Sequence, residues 1–192
     1  MAKVYRQVVA DKSITSSKSF NDFLYAWIVL HSEEENGERY IWKRTFVLSQ
    51  LESELGITRK TIKHYMDSLI ELGLLADMND KLILTDLSIE GFGVEDDILQ
   101  QLVDFKMRYM VSIYVFLKKG YWAAGGRQLI VSISHLKEYV GLSVNTRSNN
   151  KIIVGILETL RVSGLLNYDL RFDPSTQKSY YVIAGLEKTN YF

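Results

Sequence analysis

Residues 48–84, LSQLESELGITRKTIKHYMDSLIELGLLADMNDKLIL, leave the chain few folding options. Ser49 is placed to cap a short helix whose Leu51 and Leu55 share one side, with Glu52 three residues on, and Gly56 can end it by taking a left-handed conformation. Thr58 then offers a second N-cap. Ile62, Met66, Leu69 and Gly73 follow at spacings of four, three and four, so one side of a second helix is predicted to face the first. Its other side carries Arg59, Lys60, Lys63 and His64. Gly73 closes this helix, Leu74 and Leu75 enter a strand, residues 77–80 make a polar turn, and residues 81–84 return as a second strand. The expected order is helix, turn, helix, hairpin.

The same order returns downstream. Residues 134–141, SHLKEYVG, align with 49–56, SQLESELG, at an offset of 85, while Ile153, Leu160, Gly164, Leu165 and Leu166 align with Ile62, Leu69, Gly73, Leu74 and Leu75 at an offset of 91. The six extra residues fall in 143–150, SVNTRSNN, where they lengthen the turn or the start of its second helix. A larger hairpin follows over 165–172 and 179–184, with Pro174 at the first corner of its turn. Each unit is also expected to have a leading helix and strand. In the first, Phe20, Phe23, Leu24, Trp27, Ile28 and His31 trace one helix face beginning near Ser19, residues 33–37 break it as a solvated acidic loop, and 38–47 suit a strand. In the second, Leu99, Leu102, Phe105, Tyr109, Ile113 and Phe116 predict one long helix over 96–117, a break at 120–126 and a strand over 128–133. Residues 3–9 read as an edge strand or arm, and GFG at 91–93 reads as the boundary between units. The expected fold is α+β, mostly α, divided at 93/94 into 1–93 and 94–192.

Composition narrows the function classes. With 192 residues, 47% hydrophobic and 24% charged, the chain has the make-up of a folded globular protein. It has no cysteine for a disulfide or a thiolate zinc site, and its three histidines have no His-x-x-x-His spacing. A Gly-rich phosphate loop, a nucleophile elbow and a two-metal acid cluster are all missing from the sequence. We therefore expect neither an enzyme nor a bound cofactor or metal. The start, MAKVYRQVVADKS, lacks the apolar core of a signal peptide, and the apolar run 23–30 is too short to span a bilayer, so a cytoplasmic protein without membrane contact is expected. Net charge is zero, with −3 over residues 1–93 and +3 over 94–192.

The hydroxyl pair Thr58 and Thr61, followed by Ile62, Met66, Leu69, Gly73, Leu74 and Leu75, resembles the pattern of winged-helix domains in plasmid and phage replication initiators and in many bacterial transcription regulators. The first half is similar to the amino-terminal domain of plasmid initiators from Gram-positive bacteria, through NGERYI at 36–41 and ITRKTI at 57–62. The resemblance implies two tandem winged helix-turn-helix domains and contact with double-stranded DNA through the second helix of each. It places Thr58, Arg59, Lys60, Thr61, Lys63 and His64 at the DNA in the first unit, with Lys81 on its wing. In the second it points to Asn145, Arg147, Asn149, Asn150 and Lys151, whose side-chain types include the donors that read guanine and adenine edges, with Arg171 and Lys178 on the wing. A homodimer and a replication-machinery partner are further expected partners. A transcription regulator and a docking module without DNA contact are the rival readings, the latter favoured by zero net charge and aromatic content.

Overall fold

The computed structural model describes residues 2–5, 18–43, 48–85 and 91–186. The fold is α+β, with seven helices and three antiparallel sheets among those residues. It divides into two compact units, 1–111 and 112–192, so the expected division at 93/94 lies inside the first. The reason is pairing: strand β1 (Ala2–Tyr5) runs antiparallel to β6 (Gly91–Val94), with Ala2 opposite Val94. The GFG segment is part of this strand and not a linker. Of the expected arm, residues 6–9 lie outside the described residues, as do 44–47 of the expected strand over 38–47.

Helix α1 (Lys18–His31) forms the centre of the first unit, and residues 22–29 are all buried. Its apolar residues cover more than the single face expected, because α3, α4 and β1 all pack on it. The acidic segment after it is a short exposed strand, β2 (Glu33–Glu35), which turns at Asn36 and Gly37 into β3 (Glu38–Trp42). Helix α2 (Leu48–Leu55) starts one residue before Ser49, so that serine lies inside the first turn instead of capping it. Helix α3 (Arg59–Glu71) buries Ile62 and Leu69, and the hairpin β4 (Leu75–Met78) and β5 (Lys81–Leu84) turns tightly at Asn79 and Asp80.

The single helix expected over 96–117 is two. Helix α4 (Asp96–Asp104) stops at Phe105, Lys106 takes a positive φ of 52°, and helix α5 (Met110–Ala123) starts afresh. In the second unit, Gly120 of α5 lies close under β7 (Leu129–Val131), and a Cβ there would lie 2.9 Å from Leu129 Cδ2, so the leucine side chain would have to shift. Helix α6 (Ile133–Tyr139) is capped by Ser132, whose hydroxyl accepts from the His135 N–H at 3.1 Å; Ser134 of the aligned segment lies within the helix. The six inserted residues lengthen both the turn and the start of helix α7 (Arg147–Val162), which begins three residues before the position aligned with Arg59 and leads into the hairpin β8 (Leu166–Asp173) and β9 (Lys178–Leu186).

Both units repeat one topology. Each contains helix, strand, helix, helix, hairpin in that order, with β1, β2, β6 and α4 additional in the first, and in each the leading strand pairs with the second hairpin strand, giving β3-β5-β4 and β7-β9-β8. The helix ends repeat too. Leu74 N–H donates to Leu69 O at 3.0 Å beside Gly73 at φ 70°, and Leu165 N–H donates to Leu160 O at 2.9 Å beside Gly164 at φ 79°. These six-to-one bonds close both second helices on a left-handed glycine and turn the chain sharply into the strand.

Candidate nucleic-acid interface

In the first unit Thr58 caps α3, its hydroxyl accepting from Thr61 N–H at 3.4 Å and lying 3.0 Å from the Thr61 hydroxyl. Both threonines thus help hold the helix start. Arg59 is tied back to α2: its backbone N–H donates to Glu52 Oε1 at 2.9 Å and its Nε to Glu52 Oε2 at 2.6 Å. The guanidinium is still 62% exposed at its side chain, but its orientation is fixed by the acid. Lys60, Lys63 and His64 are exposed and follow along the first two turns, whereas Asp67 and Glu71 make the far end of the same exposed side acidic. Lys81 does not project from its hairpin; its ammonium lies 3.7 Å from the Tyr40 ring centre and 4.4 Å from that of Trp42.

The bonds from Arg59, side chain first and backbone second, hold the Glu52 carboxyl below its ordinary range. A carboxylate whose folded pKa is lowered adds stability above its unfolded value of about 4.3, and loses it as pH falls through the lower folded value. Glu52→Gln should therefore melt below wild type at neutral pH, with the gap closing as pH falls below the unfolded carboxyl value. Melting temperatures across that range test this, and a gap independent of pH would show the tie to be inactive.

In the second unit the basic and amide cluster splits into two groups. Lys137 on α6 is 2% exposed, and its ammonium donates to Val144 O, to Asn150 Oδ1 at 2.7 Å and to Thr146 O at 3.5 Å. Asn149 Nδ2 donates to Ser143 O at 2.9 Å. Asn149 and Asn150, expected as base readers, thus organise the inserted turn, since the buried ammonium of Lys137 must find acceptors. Asn145, Arg147 and Lys151 are exposed beside that turn and on the first turns of α7. Arg171 and Lys178 are exposed on the two strands of the hairpin, toward its tip.

Placing the units in register shows what sequence reasoning missed. Glu52 aligns with Lys137 at the offset of 85, and Arg59 aligns with Asn150 at the offset of 91. The same two positions therefore tie the first helix of the motif to the start of the second in both units, with the cation on the second helix in the first unit and on the first helix in the second. The signal was present in the alignment, as an acid and a lysine standing at one position inside otherwise similar segments. The next residues correspond as well. Lys60 aligns with Lys151, and both are exposed on the outer side of the second helix.

A separate cleft of about 250 Å³ in the first unit is lined by Trp27, His31, Glu54 and Lys106 among others. Trp27 Nε1 donates to Glu54 at 2.9 Å and the His31 ring stacks on Trp27 at 3.8 Å, so its polar groups are largely bonded to one another. Among the described residues no group of three or more His, Cys, Asp or Glu is placed to hold a metal ion, and no helix is long and apolar enough to cross a membrane. The chain matches no protein-family model, no curated protein and no solved structure.

Proposed function

We propose that the chain is a DNA-binding protein of the replication-initiator type, built from two winged helix-turn-helix units that each lay a second helix, α3 or α7, in the major groove. The observation that carries this reading is the recurrence of one exposed cation, Lys60 and Lys151, at matching places on the two helices, each just beyond a tie that fixes the helix start. Lys63 and His64 extend the first cationic stretch, and Arg147 with Asn145 extends the second. Cations in the first turns oppose the helix dipole and so are poorly explained by local stability. In a groove-binding helix they meet phosphates and base edges. The role assigned is binding, not catalysis.

The test is fluorescence anisotropy on duplexes from the gene's own neighbourhood at several salt concentrations. For every phosphate that the protein ceases to neutralise, the slope of log affinity against log salt should flatten by about 0.9. Lys60→Ala with Lys63→Ala should reduce the slope by up to roughly 2, and Lys151→Ala by up to about 1. Asn150→Ala should instead act mainly on stability. Absence of binding by wild type near about 50 mM salt, or unchanged binding by the lysine variants, would leave a protein-docking module as the better reading.

A further inference from the structure

Strand β8 is the outer strand of its sheet, paired on one side with β9 and, among the described residues, with nothing on the other. It is eight residues long, and Leu170 and Phe172 on one side of it are 60% and 58% exposed. Asp169 and Arg171 alternate with them and are exposed as well. A long exposed edge carrying apolar side chains is a ready template for pairing with another strand unless it is blunted or covered.

We infer that the occupant is a second copy of this chain, joined through antiparallel pairing of the two β8 strands about a twofold axis at Leu170. The register is selected by charge. With Leu170 opposite Leu170 of the second copy, Asp169 faces Arg171, Arg171 faces Asp169, and Tyr168 faces Phe172, so seven residues from 167 to 173 overlap on each strand. Moving the centre to Asp169 sets that acid against itself. Moving it to Arg171 sets the arginine against itself and Asp169 against Asp173. Opposite charges across a strand pair stabilise and like charges destabilise, so only the first of these three registers satisfies both the apolar and the charged side. The contact is isologous and closes at two copies, joining two three-stranded sheets into one of six. It assigns Arg171 to the pairing and does not depend on whether α3 or α7 meets DNA.

Sedimentation of the full chain over about 1–200 μM should show a monomer–dimer equilibrium. Asp169→Arg and Arg171→Asp should each weaken self-association by about tenfold or more, since each sets like charges opposite one another twice. Two further mixtures make the test specific. The double variant, Asp169→Arg with Arg171→Asp, should recover dimers. An equal mixture of the two single variants should also dimerise better than either alone, because one copy then presents two cations to two acids. Both substituted positions are on the surface, and circular dichroism is the check that each variant is folded. A monomeric wild type, a dimer indifferent to the single changes, or failure of both rescue arms would overturn the proposal.

Discussion

Lys137→Ala is expected to destabilise the second unit by about 2–4 kcal/mol, a large effect for one lysine. Most lysines stand in water, where removal changes little. This one is buried, and its ammonium joins two backbone carbonyls and the Asn150 amide that together shape the turn before α7. Without it those acceptors must be rehydrated or left unpaired, and the packing of the apolar stem goes with it. Lys137→Met separates the two contributions, because it keeps most of the stem. Hydrogen exchange should accelerate at residues 143–150 in both variants, with a further drop in global stability in the alanine variant. If neither the turn nor the urea transition responds, the lysine does not organise this segment.

Leu69→Ala and Leu160→Ala should each cost about 2–5 kcal/mol in the unit that contains them. Both side chains are fully buried, and both residues offer the carbonyl that closes the end of the second helix. Their equivalence gives the test its force: the two substitutions should produce similar cavities in two copies of one topology. Because the substitutions lie in two different compact units, each variant is read by the exchange of amides in its own unit as well as by urea midpoints. A loss under roughly 1 kcal/mol at both positions would contradict the packing described here.

Much of this arrangement was legible in the residue pattern, where local rules and burial agree. The apolar spacing of Ile62 and Leu69, the Gly-Leu-Leu helix exits and the hairpin lengths depend on nearest neighbours and a two-sided environment. The break between α4 and α5 was not legible. Apolar residues continue at helical spacing through Phe105 and Tyr109, and the reversal rests on Lys106 at positive φ, a conformation that no proline or glycine announces. Residues 33–35 become a strand only because Glu38–Trp42 gives them a partner. Among the candidate DNA contacts, the exposed lysines of α3 and α7 lie where helical periodicity puts them. The asparagines do not stand free, because an amide serves a turn as well as a base edge, and sequence spacing cannot distinguish the two. The place of Lys81 was hidden for a related reason: only the strand register brings Tyr40 and Trp42 beneath its ammonium.

The pairing of β1 with β6 has a consequence for the order in which the molecule is made. At about 5–20 residues per second, roughly 5–20 s pass between the synthesis of Ala2 and that of Val94 opposite it. Helix α1, apolar nearly all round, leaves the ribosome early, yet α4, which covers part of it, is added only after β6. The most water-averse element of the first unit is thus among the first to be made and among the last to be enclosed. During that interval its apolar surface is open to chaperones, and a fragment ending at residue 93 would lack the part of its cover that α4 supplies.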